Sequence, residues 1–136
     1  DADHFKAINE GHGHAVGDAV LKALARLMST SFHRSGDLVA RYGGEEFVVL
    51  LIGCTADDAR TLLDALRQRV AEGLPAEDAD MPAVTISIGL VTAAPGPQLA
   101  ASALLAAADR LLYVAMASGR NRLCAAPYDG ASDMGY

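Results

Sequence analysis

The chain has 136 residues, of which 51% are hydrophobic and 21% are charged. This length suits one domain, and the hydrophobic content excludes a disordered chain because it is enough to build a core. The formal charge of −6 argues against a nucleic-acid-binding surface, which needs clustered lysine and arginine. No apolar run reaches the roughly 18 residues of a membrane-spanning helix.

The first residue is Asp1, and no signal peptide is visible after it. Because the sequence begins directly in a motif-rich stretch, we expect it to belong to something longer. Cys54 and Cys124 lie far apart and outside any CxxC motif, so they predict neither a disulfide framework nor a zinc cluster. Free buried thiols are typical of a reducing compartment, which favours a cytoplasmic location.

Predicted strands and helices alternate along the chain. Residues 1–5 look like the end of a strand, and the polar, glycine-rich residues 9–17 predict a loop. Apolar residues at helical spacing then predict three helices. Their stripes are Val20, Leu24, Leu27 and Met28; Ala59, Leu62, Leu63, Leu66 and Val70; and Leu104, Ala108, Leu111, Leu112 and Ala115. Thr55 with Asp58 predicts a cap for the second of these helices, and Gly119 a cap for the third.

Four strands complete the prediction, at residues 37–41, 47–52, 84–90 and 122–126. Gly43-Gly44 between the first two is a hairpin signal. The fold class is therefore α/β, an α+β sandwich with a central, mostly antiparallel sheet flanked by helices. Residues 1–126 form the predicted domain, and residues 127–136 form a flexible tail.

Two pairs of acidic residues are candidates for chemistry. Asp1 and Asp3 stand at a strand end, and Glu45 and Glu46 follow the glycines of the hairpin. Carboxylates from these two places can converge on a hard cation such as Mg²⁺, which takes one or two carboxylates while phosphates complete its shell. The alternative is that all four are solvated surface acids.

Glycines and basic residues near these acids are candidates for phosphate binding. Gly43 and Gly44 would let a phosphate approach the backbone, although any tight hairpin favours glycine there. Lys6 follows the acidic strand end, and Arg120 and Arg122 follow a helix end. Arginine suits bidentate phosphate contacts, but it also compensates a helix dipole. On these features alone both interpretations stay open.

Five sequence blocks together are more specific. They are DADHFKAIN at residues 1–9, GHAVGD at 13–18, RYGGEEF at 41–47, VTISIG at 84–89 and ASGRNR at 117–122. In these blocks and their order, over nearly the whole chain, the sequence resembles the GGDEF family of diguanylate cyclases, in its GGEEF variant. The resemblance implies a fold like the nucleotide-cyclase and polymerase palm, with a ferredoxin-like core. It also implies a homodimer that condenses two GTP into cyclic di-GMP and pyrophosphate.

The resemblance assigns roles to residues of this sequence. Asp1, Glu45 and the backbone carbonyl of Ala2 would ligate Mg²⁺ (or Mn²⁺), with two ions per site. Glu46 would reach a metal or the attacking 3′-hydroxyl. The implied substrate-binding residues are Phe5, Lys6, Asn9, Asp18, Gly43, Gly44 and Arg120. Among them, Asn9 and Asp18 would read guanine, whose edge offers paired N–H donors that adenine lacks. Gly43 and Gly44 would let the triphosphate lie against the hairpin, and Lys6 and Arg120 would contact its phosphates.

An RxxD motif stands just before the hairpin. In the resemblance, Arg34 and Asp37 form an inhibitory site for the product cyclic di-GMP, where arginine meets phosphate and guanine. Arg60 and Arg67 are candidates for a second arginine of that site. The alternative for Arg34 and Asp37 is a local pair at the turn that follows a helix.

The sequence departs from the family pattern at two places. Met116 stands where the family usually has a lysine that contacts phosphate, which removes one cation from the implied site. The family's leading helix and most of its first strand are also absent, so we expect a gap in the sheet. These departures keep an alternative function open, a weak or inactive module that senses cyclic di-GMP or GTP. An upstream sensory domain is a further implied partner.

Overall fold

The computed structural model describes residues 1–75, 81–97 and 99–129. Four helices and four strands occur in these ranges. They are α1 (Phe5–His12), α2 (His14–Ser31), β1 (Leu38–Gly43), β2 (Glu46–Leu50), α3 (Ala56–Glu72), β3 (Ile88–Thr92), α4 (Ala101–Ala117) and β4 (Leu123–Pro127). The α+β sandwich predicted from the sequence is confirmed, with helices packed on small sheets.

The described strands form two sheets of two strands each. β1 and β2 are the antiparallel arms of the predicted hairpin, whereas β3 and β4 pair in parallel. This parallel pairing departs from the mostly antiparallel sheet that the sequence predicted. It is possible because α4 lies between β3 and β4 in the chain and supplies the long crossover connection that parallel neighbours require. A groove of about 590 Å³ separates β2 from β3. Asp1 lines this groove.

Residues 1–5, predicted as the end of a strand, contain only one bridge residue, Ala2, which pairs antiparallel with Ile86, and α1 already begins at Phe5. We keep the name strand end for residues 1–3.

The loop predicted over residues 9–17 is wrong, because most of that stretch is helical. α1 ends at His12 and α2 begins at His14, and the break between them is Gly13, whose φ of 91° favours glycine. Helices form on either side because their apolar faces are buried, with Ile8 at 7% and Val20 at 0% exposure. Tertiary packing here outweighs the low helix propensity of Gly11 and Gly17.

The main core lies between α2, α3 and the segment that leads into β3. Its fully buried members include Leu24 and Val70, both with 0% exposure. The predicted cap of α3 is confirmed, since Thr55 Oγ1 accepts a hydrogen bond of 3.1 Å from the Asp58 amide. Among the described helices, none has the length and apolar character needed to cross a membrane.

The last strand runs slightly beyond the expected domain end. β4 includes Pro127, and the Tyr128 amide donates a 2.7 Å hydrogen bond to the Thr92 carbonyl. Residues 130–136 of the expected tail lie outside the described residues. At the end of α4, the C-cap is Ser118, and Gly119 follows it with a φ of 125°. The Gly119 amide donates to the Met116 carbonyl at 3.4 Å and the Arg120 amide to the Ala115 carbonyl at 3.0 Å, the hydrogen bonds of a glycine-terminated helix, so the predicted cap is confirmed.

A close contact between β3 and α4 yields a stability prediction. A Cβ on Gly89 would overlap the α4 backbone at the Ala108 carbonyl and the Leu112 amide. We expect Gly89→Ala to lower the free energy of unfolding by about 1–3 kcal/mol, the usual cost of overpacking. Urea denaturation checks this, with Gly11→Ala as the matched control. A Cβ on Gly11 meets no described atom within 4 Å, so the control should gain about 0.5–1 kcal/mol. Equal stability of the two variants would contradict the contact.

Candidate active site

Residues 1–3 lie between the hairpin tip and the segment that precedes β3. The Ala2 amide donates to the Glu45 carbonyl at 3.3 Å on one side. On the other side, the Asp3 amide donates to the Thr85 carbonyl at 2.9 Å, and the Ser87 amide donates to the Asp1 carbonyl at 3.0 Å. The backbone therefore holds Asp1 and Ala2 beside Glu45.

The carboxyl groups of Asp3, Glu45 and Glu46 lie within electrostatic reach of residue 1. In the described part of the chain, no group of three or more His, Cys, Asp or Glu side chains is arranged to hold a metal. Two carboxylates and a carbonyl nevertheless suit Mg²⁺, which is usually held by few protein ligands together with substrate phosphates.

The hairpin tip is held by an arginine that the sequence analysis did not single out. Arg41 Nε donates to the Gly44 carbonyl at 2.8 Å, and Gly44 has a φ of 49°. A Cβ on Gly43 or Gly44 would meet no described atom within 4 Å. The turn therefore requires glycine at position 44 for its backbone angle, and the outer surface of the tip is open to a ligand.

Asn9, Asp18 and Phe5 come together at the start of α2. A Cβ on Gly17 would overlap Asn9 Oδ1 and lie 3.2 Å from Phe5 Cζ. Gly17 thus leaves room for the Asn9 side chain directly beside Asp18, which the sequence analysis missed. A cavity of about 420 Å³ opens here, lined among others by Asp18, Leu21 and Phe47. Of the two residues expected to read guanine, Asp18 therefore lines the cavity, and Asn9 packs against the neighbouring Gly17.

Unsatisfied polar atoms mark two of the expected site residues. Within the described ranges, the buried side-chain polar atoms without a hydrogen-bond partner are Asn9 Oδ1 and Arg120 Nε. A buried acceptor or donor that lacks a partner is costly and rare in folded proteins. One is an acceptor packed against Gly17, and the other is a donor on a cation. Both are what a bound nucleotide could satisfy.

The two other expected phosphate contacts differ in their surroundings. Lys6 is exposed, and its Nζ lies 3.9 Å from Glu10 Oε1 one helical turn away. Arg120 follows α4 in a left-handed conformation with a φ of 63°, and its amide donates to the Ala115 carbonyl at 3.0 Å. The next amide, that of Asn121, donates to Asp3 Oδ2 at 3.0 Å. The structure thus brings Arg120 to the acidic strand end and leaves Lys6 at the surface.

Arg34 and Asp37 form a bidentate pair. Arg34 Nε and Nη2 each donate to the Asp37 carboxylate at 3.2 Å, and the Arg34 amide donates to it at 3.0 Å. These hydrogen bonds hold the pKa of Asp37 below its ordinary value. Because that pKa is lowered, the pair stabilises the turn above the ordinary pKa of Asp37 and loses this effect as the pH falls through the lowered value.

The candidates for a second inhibitory arginine both lie on α3. Arg67 donates to Asp64 Oδ1 at 2.7 Å and to Asn121 Oδ1 at 3.0 Å. Its hydrogen bond lowers the pKa of Asp64. Arg67 is therefore engaged with the turn that carries Arg120. Arg60 is exposed on the same helix, and its charge also acts on Asp64.

Comparison with known proteins decides the family. The family model described as "Diguanylate cyclase, GGDEF domain" matches residues 1–122. The chain belongs to the GGDEF family.

Relatives of this GGDEF domain include Diguanylate cyclase A of Treponema denticola, which is 40% identical over 123 residues. That match takes in 90% of this chain and 33% of the relative, so the chain spans about a third of that protein. The GGDEF domain of DgcB from Caulobacter crescentus, solved with its coiled coil in complex with c-di-GMP, superposes with a TM-score of 0.82 at 32% identity. The match covers 93% of this chain and 66% of that one.

A second solved structure shares the hairpin variant. The active GGEEF domain of a diguanylate cyclase from Vibrio cholerae superposes with a TM-score of 0.80 at 30% identity. The match covers 95% of this chain and 80% of that chain. These similarities confirm the resemblance and the fold expected from the five sequence blocks.

Proposed function

We propose that this GGDEF domain is a diguanylate cyclase that condenses two GTP into cyclic di-GMP and pyrophosphate. The observation that carries the proposal is the pair of unsatisfied buried atoms, Asn9 Oδ1 and Arg120 Nε. A guanine N–H donor would satisfy the first, and a phosphate oxygen would satisfy the second. The family and the curated cyclases that the chain resembles support the same reaction.

The metal site of the proposal consists of Asp1, Glu45 and the Ala2 carbonyl. Their oxygen atoms fit a hard divalent cation, and the backbone contact between Ala2 and Glu45 supports their convergence. Two bound Mg²⁺ ions would supply polarisation of the attacking 3′-hydroxyl and stabilisation of the departing pyrophosphate. Glu46, next to Glu45, would contact the 3′-hydroxyl or a metal. Arg120 binds the phosphates, and Lys6 reaches them from the surface.

Guanine is held beside the cavity at the start of α2. The Asp18 carboxylate accepts the two adjacent N–H donors of the guanine edge, and Asn9 accepts a further contact. Adenine lacks this pair of donors, so binding ATP would leave the Asp18 acceptors unpaired, and this penalty favours GTP over ATP strongly. Phe5 contributes an apolar wall. Gly43 and Gly44 let the triphosphate lie against the open surface of the hairpin tip.

Two copies of the domain are needed because each holds one GTP. In the proposed reaction the 3′-hydroxyl of one GTP attacks the α-phosphorus of the other, and pyrophosphate leaves. The partner for catalysis is therefore a second copy of this chain. The short coverage of the Treponema relative supports a further, regulatory domain in the whole protein.

The decisive experiment is incubation of the purified protein with GTP and Mg²⁺, with products separated by chromatography and identified by mass. We expect a cyclic di-GMP peak that requires the metal. GTP binding without any product would instead favour a sensor module. Met116 supports that alternative, because α4 then lacks the phosphate-contacting lysine that the family usually has at this position. In that event, product formation by Met116→Lys would identify the missing cation as the cause.

Product inhibition gives a further prediction. Arg34 and Asp37 would bind cyclic di-GMP at the turn before β1, after their mutual pair opens. We expect Arg34→Ala to raise the inhibitory concentration of cyclic di-GMP about 10–100-fold, the equivalent of one lost charge-assisted hydrogen bond. Progress curves with added cyclic di-GMP measure this, and Arg69→Ala, an exposed arginine in the last turn of α3, is the matched control. Unchanged inhibition in Arg34→Ala would contradict the assignment.

A further inference from the structure

Asp3 is a buried carboxyl group to which the proposed reaction assigns no role. Its exposure is 3%, and its oxygens accept three hydrogen bonds from two segments of the chain. Oδ1 accepts from Ser87 Oγ at 2.6 Å, and Oδ2 accepts from Thr85 Oγ1 at 2.7 Å and from the Asn121 amide at 3.0 Å. A buried polar group satisfied on every side rigidifies what it joins.

The partners of Asp3 lead to two parts of the proposed site. Ser87 also holds Asp1, since its amide donates to the Asp1 carbonyl at 3.0 Å. Asn121 is the residue after Arg120, and its side chain accepts from Arg67 of α3 at 3.0 Å. The turn that carries Arg120 is therefore held from the strand end by Asp3 and from α3 by Arg67.

Residues with strained backbone conformations lie close to Asp3. In the described ranges, the non-glycine residues with positive φ are His4, Arg120 and Asn121, with φ of 54°, 63° and 46°. His4 follows Asp3 in the sequence, and the Asn121 amide donates a hydrogen bond to the Asp3 carboxylate. Such conformations persist only where surrounding contacts enforce them, and they concentrate at functional sites. Asp3 supplies one of those contacts by accepting a hydrogen bond from the Asn121 backbone amide, whose direction is fixed by the conformation of the turn.

We propose that Asp3 is a positioning residue that sets the placement of Arg120 relative to the strand end of Asp1 and Ala2. The proposal rests on the proposed function, because Arg120 is its phosphate contact. Asp3 does not touch the substrate; it acts through the turn at residues 120–121. The loss of Asp3 should therefore matter only while Arg120 is present.

A double-mutant cycle tests this dependence. We compare wild type, Asp3→Asn, Arg120→Ala and the double variant by kcat and KM for cyclic di-GMP formation. Asp3→Asn keeps the side-chain shape but replaces one acceptor, and we expect about a 10–100-fold loss in kcat/KM, as for other groups that orient a ligand-binding residue. The double variant should lie within about threefold of Arg120→Ala, because effects of coupled residues do not multiply. Multiplied losses, or wild-type kinetics in Asp3→Asn, would overturn the proposal.

Further measurements separate positioning from folding. Asp3→Asn should retain cyclic di-GMP binding at the Arg34 turn and a melting temperature close to wild type, and Asp57→Asn, exposed in the first turn of α3, is the matched control. A loss of both properties would indicate a merely structural role and count against the proposal. Thr85→Val removes one donor to Asp3 at similar volume, so if Asp3→Asn does not fold, this variant replaces it in the cycle.

Failure of the positioning role of Asp3 can be distinguished from failure of the proposed cyclase function. If wild type makes no cyclic di-GMP, the cyclase proposal fails, and the same four proteins are compared by titration with Mg²⁺-GTP. Weaker binding in Asp3→Asn that disappears in the Arg120→Ala background would still support positioning. Binding losses that multiply would overturn it.

Discussion

Glu45→Gln should reduce cyclic di-GMP formation by at least about 10²-fold, since a metal ligand stabilises the transition state by several kcal/mol. Glutamine keeps the shape of the side chain and removes its charge. The Ala2 amide contacts the backbone carbonyl of residue 45 rather than its side chain, so the strand end should stay in place. Initial rates across a Mg²⁺ titration measure the effect.

The matched control for this variant is Glu72→Gln. Glu72 is exposed at the end of α3, far along the chain from the acidic strand end, and its variant should keep wild-type rates. Glu45→Gln should also retain its melting temperature and its binding of cyclic di-GMP. A rate within a few-fold of wild type would remove Glu45 from the metal site and transfer that role to Glu46.

Asp18→Asn should lower kcat/KM for GTP by about 10²-fold, because one of two charge-assisted hydrogen bonds is lost and an N–H group then faces a guanine N–H. The structural reason lies at the start of α2, where Asp18 borders the cavity beside Asn9. Inosine triphosphate offers a sharper comparison, since its base lacks the exocyclic amino group of guanine. Wild type should prefer GTP over inosine triphosphate, and Asp18→Asn should narrow that preference to a few-fold.

One control and one further variant accompany Asp18→Asn. Asp57→Asn makes the same chemical change on an exposed helix surface and should preserve the nucleotide preference. Gly17→Ala should weaken GTP binding in another way, because its Cβ displaces the Asn9 side chain. If Asp18→Asn keeps the full preference for GTP over inosine triphosphate, guanine is read by other residues.

Local features of the fold were predictable from the sequence because their causes are local. The apolar stripes predict α3 and α4, the Thr55 hydroxyl caps the amide three residues later, and Gly-Gly marks the hairpin turn. The loop expected over residues 9–17 failed for the opposite reason. There, burial of Ile8 and Val20 against distant residues outweighs the preference of a glycine-rich stretch for a loop.

The sequence by itself determined the family and the candidate residues, since five ordered blocks carry them. Only the tertiary structure decided how those residues are held together. Asp3 meets Ser87 across 84 positions and Asn121 across 118, and Asn9 fits because Gly17 lacks a Cβ. The parallel pairing of β3 and β4 also joins segments that are distant in the chain. Contacts between residues so far apart leave no periodic or spacing signal in one sequence, because they depend on how whole elements pack.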